Sequence, residues 1–409
     1  MPSPTGRPAD LPESAYAWFR LAASVLLGAI GGVGMWSFMV VLPVVQAEFG
    51  VARGSASLPF TMVMIGYALG GVLMGRLLDR FGIVLPVVCG LIMLGLGFVG
   101  CGYATNIWQF AVLQGLVGVG ASATFGPLIA DVSHWFTRRR GIAVAICSTG
   151  NSIAGTLWPP IMQHFIEIDG WRQTHIGIGL FCIATMLPLV LLALRRRAPM
   201  HHVTSASAVT AQAQDTLGLT PGALQTLLCI AGVACCVAMA MPQVHLVAYC
   251  GDLGYGPARG AEMLSLIMGF GIVSRVAAGF IADRIGGLGT LLLGSALQAV
   301  ALFLYFGFDG LTSLYVISAL FGLVQGGIIP SYPIIIREYF SPREAGTRMG
   351  IVLMATLLGM ALGGWMSGAI FDLTGSYRAA FLNGLLWNLL NAGIVLWLLL
   401  RLGRRFAHA

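Results

Sequence analysis

The chain contains no lysine; all 22 of its basic residues are arginine. Charge of either sign is scarce, at 9% of residues, where a soluble domain carries roughly a quarter. So little charge excludes a fold wetted on every face. The formal net charge of +7 is not read as a nucleic-acid footprint, because no Arg run forms a basic domain. The eight Cys are scattered, and Cys235 and Cys236 are adjacent in a helix, where neighbouring side chains point in different directions. No metal-ligand spacing, nucleophile triad or phosphate loop is present, so no metal site, no cofactor, no catalytic residue and no enzyme is expected. A cleavable signal peptide is not expected either, since no short apolar core with a cleavage site precedes the first long apolar run.

Apolar residues dominate instead, at 57% of the chain. A membrane span needs about 20 predominantly apolar residues at 1.5 Å rise each. Twelve such segments can be placed, at approximately 18–47, 56–80, 83–104, 107–136, 139–166, 175–195, 223–250, 258–284, 287–307, 311–340, 345–373 and 377–401. Backbone polar groups in lipid must be paired within the segment, and nothing alternates like a barrel strand, so these are helices. With the N-terminus inside the cell, seventeen Arg fall on the cytoplasmic side and four outside (Arg53, Arg172, Arg259, Arg378), which puts both termini in the cytoplasm. The expected location is a multi-pass protein of a bacterial inner (plasma) membrane. Its partners are then the lipid bilayer and a small solute, with no nucleic acid, and it is expected to work as a monomer.

The second half of the chain repeats the first. Gly75, Asp79, Arg80 and Gly82 close one apolar segment, and Gly279, Asp283, Arg284 and Gly286 close another, each pair 204 positions apart. Phe136 and Phe340 share the same offset. Half the chain length as a repeat means two six-helix bundles in tandem. The expected divisions are a cytoplasmic tail over 1–17, one bundle over 18–195, a polar linker over 196–222, a second bundle over 223–401 and a tail over 402–409. His201 and His202 fall in that linker and read as an exposed loop pair. At each repeated motif an acid and a base sit at a helix end beside a Gly that lets the chain turn. Bonds made there in one arrangement of the helices and lost in the other would form a cytoplasmic gate.

The G-x-x-x-D-R-x-G motif, its duplication and the twelve spans resemble the major facilitator superfamily across nearly the whole chain. Four segments narrow the likeness: "EFGVARGSAS" from Glu48, "WFTRRRGIAVAICSTGNSIAG" from Trp135, "VHLVAYCGDLG" from Val244 and "GAIFDLTGSYRAAF" from Gly368. This set is similar to the monocarboxylate porters and their bacterial relatives, which include the oxalate/formate antiporters. The resemblance implies an all-α integral membrane fold of twelve transmembrane helices in two pseudo-symmetric six-helix bundles, and a transporter.

Arg275 carries the chemistry. It lies nine positions before Arg284, which puts it roughly 13 Å deep in a core about 30 Å thick. A bare charge there costs from about 2.5 to more than 10 kcal/mol, so it must face a cavity or a partner. No acid is near it on its own helix: Glu262 is almost four turns earlier and Asp283 is at the helix end. A carboxylate substrate would match the guanidinium fork. Monocarboxylate porters have an Arg at the matching position, which the resemblance adds. Animal members place an Asp four residues earlier, where this chain has Gly271, and the oxalate/formate antiporters use a Lys in the eleventh span, where this chain has none. The first departure speaks against a carboxylate-mediated proton relay, and the second argues for a monoanion over a dianion. Gln114, Ser148, Asn151, Gln325 and Tyr332 are the other polar groups at mid-membrane depth able to orient a small acid, and helix–helix hydrogen bonding is the competing reading for each. Trp36 walls the cavity or simply packs. His245, in the outer third of the seventh span, is the candidate for proton coupling or for a hydrogen bond closing an outer gate.

The expected function is secondary active transport of a small monocarboxylate, of the lactate, pyruvate or acetate kind, with a proton by alternating access. The alternatives are another cargo, such as a larger organic acid or a drug moved by antiport, or a membrane ligand sensor. The short tails leave no room for a sensor's output domain.

Overall fold

The computed structural model describes residues 13–136, 139–196 and 218–406, without the side chains of Arg140, Pro342, Arg343 and residues 403–406. Most of the expected linker, including His201 and His202, lies outside the described residues, as do the first twelve residues and the last three. Among the described residues every regular element is a helix.

The first half is built from α1 (Ala15–Gly31), α2 (Val33–Phe49), α3 (Arg53–Ala56), α4 (Leu58–Phe81), α5 (Val84–Gly102), α6 (Ile107–Ser122), α7 (Gly126–Trp135) and α8 (Arg140–Ala193). The second half has α9 (Pro221–Asp252), α10 (Pro257–Gly307), α11 (Leu311–Gln325), α12 (Ile328–Tyr339), α13 (Pro342–Thr374) and α14 (Tyr377–Phe406). The starts are written locally. The Ser14, Asn106 and Thr220 side chains accept from the first free N–H groups of α1, α6 and α9, and Pro221 stands at the first turn of α9.

These helices join into ten continuous stretches long and apolar enough to cross a membrane. Two of the ten are double. At 54 and 51 residues, α8 and α10 would each exceed roughly 75 Å if straight. Each is broken at one glycine, Gly170 (φ 77°, ψ 160°) in α8 and Gly286 (φ 73°, ψ 172°) in α10. These positive-φ conformations are open to glycine and strained for other residues. The described residues therefore make twelve spanning segments.

The break at Gly170 corrects one boundary. Sequence polarity around "IEIDGWRQT" predicts a loop over 167–174, but helix runs to 169 and resumes at 171. Polar side chains at a helix end cost the backbone nothing, and Gly170 makes the turn alone.

The described residues form two compact units. One takes the chain up to Val45 and from Met62 to Arg196; the other takes everything from Gly218 onward together with Gln46–Thr61. Residues 46–61 thus pack with the second unit although they precede α5 in sequence.

The repeat extends to packing inside each unit. A Cβ on Gly118 would lie 2.2 Å from the Val63 carbonyl oxygen, and one on Gly322 would lie 2.5 Å from that of Ile267. Both glycines and both carbonyls are related by the same 204-residue offset. Helices in lipid gain little from burying apolar surface against one another, so close backbone approach carries their association. Replacing Gly322 with Val forces α10 and α11 apart. We expect a loss of about 1–3 kcal/mol, read as a lower melting temperature in detergent, while Gly279→Val, whose Cβ meets nothing within 4 Å, leaves melting unchanged.

Candidate functional site

In α10, Gly271, Ser274 and Ala278 recur at helical spacing and form a stripe of small residues. That stripe packs on the junction of α11 and α12. A Cβ on Gly326 would stand 2.2 Å from the Gly271 oxygen and 2.9 Å from the Ser274 Cβ, and one on Gly327 would stand 2.3 Å from the Ala278 Cβ. Arg275, one residue and about 100° round from Ser274, sits at the edge of this seam, and Gln325 is one residue from its far side.

Arg275 is half-buried, and among the described residues its guanidinium has no hydrogen bond and no ion pair; the Nε is shut away without an acceptor. Tyr332, in α12 of the same unit, is fully buried and its hydroxyl is likewise without a partner. Gln325 is not free, because its Oε1 accepts from Gln243 Nε2 at 2.7 Å. Gln243 was missed at the sequence level. The signal was there, a buried amide two residues before His245 in an apolar run, but the His drew attention from it.

The remaining candidates belong to the first unit. Gln114 is fully buried with both amide atoms unpaired. Trp36 Nε1 donates to the Asn151 backbone oxygen at 3.2 Å and more loosely to its Oδ1 at 3.4 Å, while Asn151 Nδ2 approaches Met35 Sδ at 3.9 Å. Ser148 donates to Ala145 O at 2.7 Å, a bond within its own helix, which leaves its hydroxyl less able to serve a ligand. Thus Trp36 and Asn151 come together, and Gln243 with Gln325, while Ser148 turns back on its own backbone.

The acid–base pairs of the repeated motif make no polar contacts among the described residues. Asp79, Arg80, Asp283 and Arg284 are exposed, and none makes a hydrogen bond or ion pair among the described residues; Arg80 only lies over Phe81 at 5.2 Å. Gly82 (φ 79°) and Gly286 (φ 73°) make the same turn, and Gly75 and Gly279 are uncrowded. The second copy is held by a different acid. Glu338 accepts from the Gly287 N–H at 3.0 and 3.2 Å through its two oxygens, which places a carboxylate at the start of the helix that follows Gly286. The residue 204 positions earlier is His134, so the first copy has no such cap.

A second polar cluster, in the second unit, gathers around His245, which is fully buried. Its Nε2 lies 2.8 Å from Gly364 O and its Nδ1 lies 3.0 Å from the Tyr377 hydroxyl. Tyr377 accepts from Arg53 Nη1 at 2.6 Å, and Arg53 donates to Asp252 at 3.0 and 3.2 Å. Asp372 receives the Arg53 and Gly54 backbone N–H groups, both at 2.7 Å. None of these partnerships is visible in sequence, because the partners stand 119 to 324 positions apart.

Comparison with known proteins places these features. The family model described as Major Facilitator Superfamily matches residues 24–312 and 276–406. A protein named monocarboxylate transporter 13 from Rattus norvegicus is 28% identical over 396 residues, covering 95% of this chain and 90% of its own. The MFS transporter asaE of Aspergillus flavus is 24% identical over 320 residues, covering 78% of this chain and 71% of its own. The crystal structure of a point mutant of the nucleoside transporter NupG superposes with a TM-score of 0.73 at 14% identity, covering 93% of this chain and 99% of that one, a likeness of fold alone. Twelve spans, a halved repeat and a model match along nearly the full length agree: the chain is a membrane transporter rather than an enzyme, and it belongs to the Major Facilitator Superfamily.

Proposed function

We propose that the chain carries a small monocarboxylate across the membrane together with a proton, by alternating access, and that Arg275 is the anion site. The observation that carries this reading is a guanidinium inside a span with no partner among the described residues. A fixed cation in that position is costly unless something of opposite charge visits it. A carboxylate answers it in shape as well as charge, since two oxygens meet the two N–H groups of the fork. Tyr332 offers a hydroxyl still free to bond in the same unit, and Gln325 with Gln243 offers an amide pair. Gln114 has unspent amide atoms in the first unit; Asn151 and Ser148 complete the set with less capacity to spare.

The relatives named monocarboxylate transporters support the substrate class, and the lack of Lys supports a monoanion over a dianion. A bare anion would not cross an occluded state cheaply, so a proton travels on the substrate or on a nearby group. The Arg distribution supports both termini in the cytoplasm, and the halved repeat with its polar linker supports bundles divided at 196–222. The motif residues Gly75 to Gly82 and Gly279 to Gly286 serve as the cytoplasmic gate.

The fungal relative, named only as an MFS transporter, supports a second reading with another cargo, such as a larger organic acid. Uptake of a panel of radiolabelled acids into proteoliposomes under an imposed inward proton gradient separates the two. Accumulation of lactate- or acetate-sized acids supports the first reading. Accumulation of larger acids only supports the second, and no net accumulation of any cargo removes the carrier.

A further inference from the structure

The hydrogen bonds around His245 have only one consistent direction. Gly364 O can only accept, so Nε2 carries the hydrogen. A neutral imidazole then has an acceptor at Nδ1, and the Tyr377 hydroxyl must donate to it. With its hydrogen committed, the Tyr377 oxygen is an acceptor for Arg53 Nη1. The chain of donors therefore runs Arg53 to Tyr377 to His245 to Gly364, and every member has one role.

A proton on Nδ1 breaks that order. Nδ1–H would have to donate to the Tyr377 oxygen that Arg53 already occupies, two cations would face one phenol, and the Tyr377 hydrogen would need a new acceptor. The fixed charges around His245 nonetheless do not balance. The charged groups acting on His245 are Arg53 from α3 and Asp372 from α13. Asp252, at the end of α9, holds Arg53. The other titratable neighbours are Tyr377 from α14 and Tyr249 from α9, whose ring stands 5.5 Å from that of Tyr377. One arginine and two carboxylates leave one negative charge, which a proton neutralises. Asp252 and Asp372 reach solvent while Arg53, Tyr377 and His245 are buried, so a proton has a way in.

We infer that His245 is a proton-binding site whose occupation is exclusive with the Arg53–Tyr377 bond, so that protonation loosens the hold of α14 on residues 46–61. These residues are anchored to the second unit by the Arg53 side chain, by the backbone bonds to Asp372 and by Thr61 Oγ1 donating to Ala361 O at 3.1 Å. Loss of the Arg53–Tyr377 bond leaves the segment tied through Asp252, at its backbone and at Thr61. This inference deepens the proton coupling proposed above, but its test uses no cargo, so it can fail while transport stands and stand while transport fails.

The test is hydrogen–deuterium exchange of residues 46–61 in the reconstituted full chain at pH 8 and pH 4, expressed as protection factors so that intrinsic chemical exchange divides out. In the parent, protection falls at least tenfold at the lower pH. His245→Gln, which keeps an amide donor for Gly364 but cannot take the proton, holds its protection at both values. Tyr377→Phe, the loss of one oxygen, shows low protection at both. Parent protection that does not change with pH overturns the inference. So does an equal fall in parent and His245→Gln, which would assign the change to Asp252 and Asp372.

Discussion

Replacing Arg275 with alanine is expected to abolish gradient-driven uptake while leaving the melting temperature of the protein unchanged or slightly raised. The two halves of that result come from one fact. Among the described residues Arg275 holds nothing, so its removal breaks no bond and relieves a charge that lipid disfavours. A structural arginine would behave in the opposite way, since truncating one member of a buried charge pair leaves the other uncompensated. Removing a charge partner from a bound carboxylate costs about 2–5 kcal/mol, which corresponds to roughly 30-fold to several thousand-fold in apparent affinity. Arg275→Lys keeps the charge and loses the fork, so partial uptake with a raised half-saturating concentration is expected. Uptake that survives Arg275→Ala, or a fall in melting temperature with it, would make the residue part of the scaffold.

The largest stability effect is expected far from that site, at Arg20. Arg20 is fully buried and meets Asp131 through two bonds, Nε to Oδ2 at 2.7 Å and Nη2 to Oδ1 at 2.8 Å. Its Nη1 donates to the carbonyl oxygens of Ala193 at 3.2 Å and Arg196 at 3.0 Å, where α8 ends and its last carbonyls need donors. The guanidinium also lies 4.9 Å from the Trp135 ring centroid. One side chain thus ties α1, α7 and the end of α8. Arg20→Leu leaves a buried carboxylate unpaired and takes one donor from each of the Ala193 and Arg196 carbonyls, the former keeping the Tyr16 hydroxyl at 2.7 Å, and a loss of about 3–5 kcal/mol is expected. In a thermal melt this is roughly 5–15 °C. The double change Arg20→Leu with Asp131→Leu should recover part of it, because the stranded charge is gone, but not all, because the carbonyls at the end of α8 have still lost the Arg20 donor. Full loss in both variants would mean that the carbonyls, not the ion pair, dominate.

How much of this was written legibly in the chain differs by the range of the interaction. The spans were readable because lipid demands long apolar runs, and the 204-residue offset was readable because Gly82 and Gly286 must both supply a positive φ at the same turn. Arg275 stood out because a charge inside an apolar run is an anomaly that needs no partner to be seen. Gly170 was misplaced inside an expected loop because polarity was taken for irregular backbone. The cluster of Arg53, Asp252, Asp372 and Tyr377 was out of reach for a stronger reason. Its members come from both halves of the sequence, and nothing periodic links positions 199 to 324 residues apart. Arg53 was read as one of four outside arginines and as part of "EFGVARGSAS", neither of which shows that its side chain helps to fasten 46–61 into the second unit. Glu338 escaped in the same way: the duplicated motif points to Asp283, while the turn at Gly286 is capped from α12.

The central claim is that Arg275 recognises a carboxylate. The most direct measurement is equilibrium binding of a radiolabelled monocarboxylate to the purified protein, competed with the same acid unlabelled and with its neutral amide. Saturable binding displaced by the acid, at least tenfold weaker displacement by the amide, and no specific binding to Arg275→Ala are expected. Equal displacement by acid and amide, or binding that persists in Arg275→Ala, would contradict that claim.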